Sequence, residues 1–390
     1  MRVAIVVPRF GPDVLGGAER LARGFAYTVA AHGWQVEVWT TCASSHYTWE
    51  NDLPAGLSQD GPLTVRRFPI TFFERDRFYQ PLAAAENGGV LSPEVQFQWL
   101  HSGPHSPELY RQVGRYSPAL DLVIGLPYAF PLVHYALHAC RCPTVLWPCL
   151  HDEPIAYWQP IRLLFEQVTG IFFNSPDEAD LCLRKLQFRL RHWATVGVGV
   201  EPTDAVAAGT VIPPALGRPY LVYVGRLEGG KGVGLLYEYI TRYCGAVGNS
   251  TLALAVIGSG PYEPPAAKYF LRLGAAANSE KLAVLRGALA LCQPSVNESF
   301  SLTVMEAWSV GRPVLVNAGC AVTRGHVQRS QGGLWFNDYD DFAGALDWFI
   351  ANPELAARMG MLGQRYVQDN YTWEHVLARA EAALADWGIG

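Results

Sequence analysis

The feature that most constrains the fold is an alternation of apolar strands and helices, which occurs twice along the chain. Residues 3–7 form a continuous apolar run rich in β-branched side chains, as expected of a strand buried on both faces. A helix is predicted to follow, from about 16 to 31, and Gly33 is a plausible stop signal. Four more strands are predicted in this half, at residues 36–40, 122–124, 144–147 and 171–173.

The alternation restarts after residues 201–219, which are rich in Pro, Gly and Ala and suit a linker. Strands are predicted at 220–224, 252–257, 270–274, 289–292 and 313–316, and helices at 233–243, 280–286, 302–310 and over most of 340–386. Two such series predict an α/β protein with two doubly wound Rossmann-like domains facing a cleft. Residues 42–117, rich in Pro, Gly and aromatic side chains, show no clear pattern, and their structure stays open.

Composition limits the classes of function. The chain has 390 residues, of which 50% are hydrophobic and 17% charged, enough apolar material for two sizeable cores. Its formal net charge is −5. Because it lacks a basic excess, an extended nucleic-acid-binding or anionic-membrane-binding surface is unsupported. We expect any bound anion to be held by a few placed groups.

Neither the cysteines nor the histidines suggest a metal site. The eight cysteines form no C-x-x-C pair. Two histidine pairs, at 101 and 105 and at 134 and 138, have helical spacing but no acidic partner in a metal-binding arrangement. The apolar run at the amino terminus is too short for a signal peptide. No later stretch reaches the about 18 consecutive apolar residues that a membrane-spanning helix needs. These observations predict a reduced, cytoplasmic protein without cofactor or metal.

Paired glycines, Gly16 and Gly17, open the first predicted helix after the first strand. Such a pair admits a ligand close to the backbone, and the helix amino end offers unpaired N–H groups to a phosphate. A flexible turn is an equally good interpretation. The pair is not a dinucleotide fingerprint, because the glycines after the strand fall at 11, 16 and 17.

A glycine-rich loop with two cations, Arg226 and Lys231, follows the first strand of the second series. Open α/β sheets bind ligands at this carboxyl edge. Lys231 is one of only four lysines, and the two cations are suited to a diphosphate. The alternative is a pair of solvated cations near a turn.

Two carboxylates, Glu298 and Glu306, lie eight positions apart. We predict Glu298 ahead of a helix and Glu306 inside it, so that the backbone N–H groups of Ser301 and Leu302 face an anion. Carboxylates accept hydrogen bonds from sugar hydroxyls. Two structural acids near a helix start are the alternative.

His151 follows the strand at 144–147 and lies at the edge where a cleft is expected. It could hydrogen-bond a substrate hydroxyl, with Asp152 or Glu153 orienting its ring. A structural histidine is about equally plausible.

The order of these motifs resembles the retaining GT-B glycosyltransferases of family four, the glycogen-synthase-like group 1 enzymes. The resemblance comprises the G-R-L-x-x-x-K-G run at 225–232 and the E-x₇-E run at 298–306, and four shorter matches at residues 199–201, 258–261, 307–314 and 371–373. It covers most of residues 220–375.

The resemblance implies a nucleoside-diphosphate sugar as donor and a glycan or lipid-linked acceptor, with no metal. It implies an acceptor-side domain of residues 1–205, joined by the return helix 371–390, and a donor-binding domain of residues 206–370. The implied catalytic residues are Glu298, Arg226, Lys231 and His151. The implied donor-binding residues are Gly16, Gly17, Arg226, Lys231, Phe300, Ser301, Leu302 and Glu306, with Glu306 on the ribose, Glu298 and His151 on the sugar hydroxyls, and the others on the diphosphate.

The chain departs from the family pattern in two places. Ser301 stands where the family has glycine, which puts close backbone approach to the phosphate in doubt. Residues 262–269 contain Pro264 and Pro265 and are too few for the usual family helix, which puts the nucleobase side in doubt. The D-x-D match at 338–340 is predicted to be a helix cap rather than a metal site.

Other functions stay open. A nucleotide-sugar-binding GT-B protein without activity, or one with epimerase-like chemistry, fits the same motifs, whereas a dehydrogenase lacks its fingerprint. Arginines at 66, 67, 75 and 77 interleave with phenylalanines at 68, 72, 73 and 78. This segment suggests peripheral contact with the inner membrane face, although an ordinary packed insert is favoured. The residues do not distinguish UDP, GDP or ADP donors, and they leave the oligomeric state open.

Overall fold

A computed structural model describes residues 1–14, 16–201, 217–246 and 252–390. Two compact units are found, residues 1–199 with 373–390 (unit 1) and residues 200–372 (unit 2). The predicted domain boundary between 205 and 206 lies outside the described residues, as does most of the stretch predicted to be a linker.

Unit 1 is built on an eight-stranded sheet in the order β3-β4-β2-β1-β5-β6-β7-β8. Its strands are β1 (Arg2–Val6), β2 (Gln35–Thr41), β3 (Gly56–Asp60), β4 (Leu63–Phe68), β5 (Leu122–Gly125), β6 (Thr144–Leu146), β7 (Gly170–Phe173) and β8 (Trp193–Thr195). Its first seven helices are α1 (Gly17–Ala31), α2 (Arg75–Glu86), α3 (Pro93–Ser102), α4 (Pro107–Tyr116), α5 (Pro131–Ala139), α6 (Gln159–Gln167) and α7 (Pro176–Asp180). All neighbouring strands run parallel except β3 and β4.

The segment left open by the sequence, residues 42–117, holds the β3–β4 pair and helices α2, α3 and α4. Its aromatic side chains contribute to the core of unit 1: Phe68 and Phe78 are buried, and the Phe78 ring stacks on Trp99 at 5.5 Å. Phe72 is exposed, whereas Arg66 pairs with Glu37. The burial of these rings agrees with the favoured interpretation of a packed insert.

Unit 2 is built on a six-stranded parallel sheet in the order β11-β10-β9-β12-β13-β14. Its strands are β9 (Tyr220–Val224), β10 (Ala253–Ile257), β11 (Phe270–Gly274), β12 (Ala290–Gln293), β13 (Val314–Asn317) and β14 (Gly333–Phe336). Its helices are α8 (Val233–Ala246), α9 (Asn278–Gly287), α10 (Leu302–Ser309), α11 (Ala321–Ser330), α12 (Tyr339–Ala351) and α13 (Pro353–Asn370). The first five strands confirm the predicted series, whereas α11 and β14 were not predicted.

The connection between β10 and β11 confirms one predicted departure. No helix is present among residues 258–269, all of which the structure describes. The two prolines at 264 and 265 remove backbone donors from this stretch, and only eight residues, 262–269, lie between the turn and β11.

The last helix, α14 (Trp373–Asp386), belongs to unit 1, as predicted for the return helix. Its first residue, Trp373, packs on two glycines, because a Cβ placed on Gly24 or Gly199 would lie 2.0 Å from the indole ring. Arg379 also donates a 2.9 Å hydrogen bond to the carbonyl of Val196.

Each sheet contains a point where the strand order reverses. In unit 1 this point lies between β1 and β5, and in unit 2 between β9 and β12. Loops at the carboxyl ends of such strand pairs diverge and leave a crevice, which is where open α/β sheets bind ligands. The predicted site residues of unit 2 follow β9 and β12.

Candidate functional site

The loop that follows β9, residues 225–231, is packed against the loop that follows β12. Gly232, just before α8, has φ = 70°. A Cβ on it would lie 2.6 Å from the carbonyl oxygen of Pro294. Only glycine combines this left-handed conformation with so close an approach. The two loops are therefore held together by their backbones.

This contact brings together a cation and a carboxylate that the sequence placed in separate motifs. The Nζ atom of Lys231 lies 2.6 Å from Oε1 of Glu298, and the two side chains are 22% and 12% exposed. The Arg226 guanidinium is half exposed and lies 2.9 Å from the Glu228 carboxylate. Both predicted phosphate-binding cations are thus paired with acidic side chains, and Lys231 is the more buried one.

Ser301 precedes α10 in a left-handed conformation, with φ = 70° and ψ = 79°. This backbone explains why glycine suits the position, because other residues adopt it at a cost of about 1 kcal/mol. The Ser301 hydroxyl lies 3.1 Å from Gln293 Nε2, which donates to it, and 3.4 Å from Thr303 Oγ1. The serine hydroxyl is therefore hydrogen-bonded to a buried side chain, while the serine backbone adopts the conformation that glycine favours.

Phe300 and Leu302 flank this residue. The Phe300 ring is buried, in edge contact with His326 at 5.3 Å and Tyr371 at 4.9 Å. Its side chain anchors the loop in the core of unit 2. Only the backbone of Phe300 is therefore suited to contact a ligand.

Glu306 lies inside α10 and Glu298 ahead of it, as predicted. The Glu306 carboxylate is 6% exposed, and its Oε1 lies 2.7 Å from Nζ of Lys281 on α9. Lys281 was not singled out by the sequence, although it is one of only four lysines. Each carboxylate that flanks the start of α10 is therefore paired with a lysine from another element.

The turn at residues 258–261 supports the cation-bearing loop. A Cβ on Gly258 would lie 1.9 Å from the carbonyl oxygen of Gly225, and one on Gly260 would lie 2.5 Å from that of Leu227. The Leu227 N–H also donates to the Ser259 carbonyl at 2.9 Å. Both glycines are needed because the two backbones touch.

In unit 1, Gly16 and Gly17 open α1 as predicted. A Cβ on Gly16 would lie 1.9 Å from the Glu19 carboxylate, which forms a buried ion pair with Arg9. By contrast, apart from its chain neighbours and its own helix backbone, no described residue places an atom within 4 Å of a Cβ built on Gly17. The fold thus requires glycine at 16 but leaves space at 17.

His151 lies on the loop after β6, partly exposed, with its Nδ1 3.6 Å from Glu153 Oε1. This distance is too long for a hydrogen bond. Of the two carboxylates considered from the sequence, Glu153 is the one near the ring, because Asp152 is paired with Lys185 at 2.5 Å. Glu153 also accepts a 2.5 Å hydrogen bond from the buried Tyr128 hydroxyl.

A buried carboxyl group fixes the same loop. Glu178, at the start of α7, accepts hydrogen bonds from the backbone N–H groups of Leu150 and Asn174. Burial raises its pKa to about 8, although these N–H donors favour the ionised form. Ser175 caps α7 by accepting from the Glu178 N–H, as the sequence predicted. The loop that carries His151 is thereby attached to the end of β7.

The D-x-D match is a helix cap, as predicted: Asp338 Oδ1 accepts a 3.0 Å hydrogen bond from the backbone N–H of Asp341. Over the described ranges, no group of three or more His, Cys, Asp or Glu side chains is arranged to hold a metal ion. None of the helices in the described part of the chain is both long and apolar enough to cross a bilayer.

Several contributors to the site were missed by the sequence reasoning. They are Lys281, Gln293, Arg9 and Glu19. Because the chain has only four lysines, Lys281 could have been singled out as a candidate site residue. The position of Glu19 just after the glycine pair was weaker evidence for its contact with Gly16. Nothing in the local pattern marks Gln293 or Arg9.

Comparison with protein families gives a match over residues 210–365 to the family described as Glycosyl transferases group 1. Among curated proteins, the D-inositol 3-phosphate glycosyltransferase of Rhodococcus jostii is 25% identical over 396 aligned residues, covering 94% of this chain and 83% of that protein. The protein of the same name from Streptomyces coelicolor is 37% identical over 97 residues, covering 24% and 20%.

Solved structures with the same fold cover the whole chain. Sucrose-phosphate synthase from Thermosynechococcus elongatus has a TM-score of 0.73 at 17% identity, covering 100% of both chains. The E. coli trehalose-6-phosphate protein bound with UDP-2-fluoro glucose has a TM-score of 0.72 at 14% identity, covering 99% of both. Anabaena HepE in complex with UDP and glucose has a TM-score of 0.71 at 13% identity, covering 99% and 100%.

Proposed function

We propose that this chain, a glycosyltransferase of the GT-B fold that carries a group 1 domain, transfers a sugar from a nucleoside-diphosphate sugar to an acceptor hydroxyl with retention at the anomeric carbon. UDP-sugars are the first donors to test, because two of the structural neighbours were solved with UDP ligands.

One observation carries the proposal: Lys231 and Glu298 lie side by side, 2.6 Å apart, at the strand-order reversal of unit 2. A lysine is suited to a phosphate, and a carboxylate to sugar hydroxyls. In a sugar diphosphate, the phosphate and the hydroxyl-bearing ring are likewise adjacent. A cation beside a carboxylate therefore matches the sugar–phosphate linkage, the bond that the reaction breaks.

The remaining residues of unit 2 fit the rest of the donor. Arg226 and the N–H groups at the start of α10 are suited to the diphosphate, and Glu306 to the ribose hydroxyls. In the structure, the two cations are balanced by Glu298 and Glu228. We propose that they turn to the diphosphate when the donor binds, so that positive charge is in place before negative charge develops.

The proposed reaction is a front-face displacement. The bond between the anomeric carbon and the phosphate oxygen breaks, and a bond from the acceptor oxygen forms on the same face. The acceptor proton passes to the leaving phosphate oxygen. Arg226 and Lys231 supply the electrostatic stabilisation of the leaving diphosphate, so the proposal requires no metal ion.

Two groups of unit 1 serve the same reaction in this proposal. The space beside Gly17, at the first turn of α1, would let a phosphate approach the backbone N–H groups there. His151, partly exposed beside Glu153, is suited to a hydroxyl of the transferred sugar. The acceptor is a glycan or a lipid-linked hydroxyl. D-inositol 3-phosphate is also worth testing as an acceptor, because two relatives that align with 94% of this chain are named D-inositol 3-phosphate glycosyltransferases.

A direct experiment tests the proposal in two steps. First, thermal shift is measured with UDP-, GDP- and ADP-sugars, because a ligand that binds only the folded state raises its midpoint. Second, the best donor is incubated with candidate acceptors with and without EDTA, and the anomeric configuration of the product is read by NMR. An inverted product contradicts retention, and loss of transfer in EDTA contradicts metal independence. Conversion of the donor without an acceptor favours the epimerase-like alternative.

A further inference from the structure

Two lysines each form an ion pair with one of the carboxylates near the start of α10. Lys231, from the loop after β9, pairs with Glu298 ahead of the helix, and Lys281, from α9, pairs with Glu306 one turn inside it. The second pair is the more buried: the side chains of Lys281 and Glu306 are 13% and 6% exposed, and Nζ lies 2.7 Å from Oε1. Since the chain has only four lysines, both pairs use a scarce residue.

We propose that Lys281 is a positioning residue for the nucleoside: it holds the Glu306 carboxylate ionised and oriented toward the ribose hydroxyls of the donor. This inference rests on the proposed function, since it needs a nucleotide at this site. It adds a residue that neither the motifs nor the comparisons with relatives single out.

The shape of the donor supports this assignment. A nucleoside-diphosphate sugar carries a hydroxyl-bearing ring on each side of its diphosphate, the sugar on one side and the ribose on the other. Along the chain, the start of α10 likewise lies between two carboxylates, Glu298 before it and Glu306 within it. Each carboxylate has its own lysine, so two charge-paired acceptors of hydroxyl protons accompany the helix end proposed to bind the diphosphate.

The chemistry of the pair explains why a lysine is needed. A carboxyl group buried to this degree is costly as an anion unless a cation is near. While it is ionised, the Glu306 carboxylate only accepts hydrogen bonds, whereas a protonated carboxyl would present an O–H donor to the hydroxyls. A buried ion pair is seldom more stable than apolar packing of the same volume. We therefore infer that the pair is kept for binding rather than for stability.

The test measures binding and turnover separately. Calorimetric titration with UDP, GDP and ADP selects the nucleotide that binds most tightly, and the 2′-deoxy and 3′-deoxy forms of that nucleotide are then compared with it. For Lys281→Met we expect the affinity for the ribonucleotide to fall about 10-fold and its preference over the deoxy forms to disappear. We expect the donor KM to rise with the affinity loss, while kcat at saturating donor stays within about 2-fold.

Three companion variants sharpen the result. Lys281→Arg keeps the cation and should retain most of the preference for the ribonucleotide. Glu306→Gln should lose the same preference, and adding Lys281→Met to it should cost little more, because both act on one contact. Arg358→Met removes an exposed cation on α13 of the same unit and should leave binding unchanged.

The outcomes separate this inference from the proposed function. If Lys281→Met keeps both the affinity and the ribose preference, or if its effect adds fully to that of Glu306→Gln, the inference is overturned. Should Lys281→Met fail to fold, Lys281→Gln, which removes the charge but still donates a hydrogen bond, is measured in its place. A reduced preference for the ribonucleotide over its deoxy forms supports the inference, and an unchanged preference overturns it. If the wild-type protein binds none of UDP, GDP and ADP, the proposed function fails and this inference fails with it.

Discussion

Lys231 Nζ lies 2.6 Å from Glu298 Oε1, although 67 positions separate the two residues in the chain. The contact exists because β9 and β12 are neighbours in the sheet of unit 2 and because Gly232 lets their loops touch. It turns two separate motifs into one candidate centre, and the first prediction concerns it directly.

Replacing either partner should abolish most of the transfer reaction. For Lys231→Ala and for Glu298→Ala we expect kcat to fall about 100- to 1,000-fold, the range found when one preorganised charge-stabilising group is removed. Circular dichroism should show an intact fold. Arg358→Ala, at an exposed site on α13 of the same unit, is the control. Near-wild-type transfer by both variants would contradict the assignment of this centre.

Ser301 offers a test of backbone conformation. Ser301→Gly removes the left-handed strain and also the hydrogen bond from Gln293, so the free energy of unfolding should change by less than about 1 kcal/mol. Ser301→Ala keeps the strain and leaves the buried Gln293 amide without this acceptor, so it should lose about 1–2 kcal/mol. Urea unfolding measures both.

The donor KM of the two Ser301 variants completes this test. We expect Ser301→Gly to keep the donor KM, because the backbone N–H groups of α10 are the proposed phosphate contacts. A large rise in KM for Ser301→Gly, with an unchanged fold, would instead assign the hydroxyl a direct role.

The two glycines at the start of α1 should respond differently to the same change. Gly16→Ala places a methyl group 1.9 Å from the Glu19 carboxylate and should destabilise unit 1 by displacing its ion pair with Arg9. Gly17→Ala meets no described atom within 4 Å and improves helix propensity, so stability should be kept or rise slightly.

If a phosphate approaches Gly17, however, the added methyl should raise the donor KM several-fold. Thermal melting and steady-state kinetics of both variants measure these effects. An unchanged donor KM for Gly17→Ala would remove this residue from the proposed donor site.

A partly buried histidine, His134, predicts acid sensitivity. Burial lowers the pKa of His134 from 6.5 to about 4, with His138 and His101 acting in the same direction. The unfolded chain therefore takes up a proton near pH 6.5, whereas the folded protein does so only near pH 4. The free energy of unfolding should fall as the pH drops between these values, with His134 contributing up to about 3 kcal/mol.

The variant His134→Leu removes this contribution and should flatten the pH dependence of urea unfolding between pH 6.5 and 4. The matched control is His32→Gln, an exposed histidine of the same unit, which should keep the slope. Equal slopes for the two variants would show that His134 is not the source.

Much of the fold follows from local patterns. Continuous apolar runs predicted β1, β9 and β12 within one or two residues, because a strand buried on both faces needs apolar side chains at every position. Ser175 and Glu178 predicted the start of α7, because a helix amino end needs acceptors for its free N–H groups. The placement of Glu298 ahead of α10 and Glu306 inside it was predictable from their spacing, because eight positions on one continuous helix would turn the two side chains about 80° apart.

The segment 42–117 and the elements α11 and β14 were not predictable in this way. Aromatic residues such as Phe78 and Trp99 suit a strand or a helix equally well, and their place is decided by contacts with each other in the core. Short buried elements carry too few periods for their pattern to be distinctive.

The sequence by itself determined the strands and the helix start that carry the candidate site, and the residue types there: two cations, two carboxylates and a helix amino end. Tertiary structure alone decided which of them meet. It joined Lys231 to Glu298 and Lys281 to Glu306, across 67 and 25 positions, because sheet order and loop packing bring together side chains that no local pattern relates. Periodicity reports how each segment buries its own apolar face, whereas an ion pair forms only after two such segments have packed.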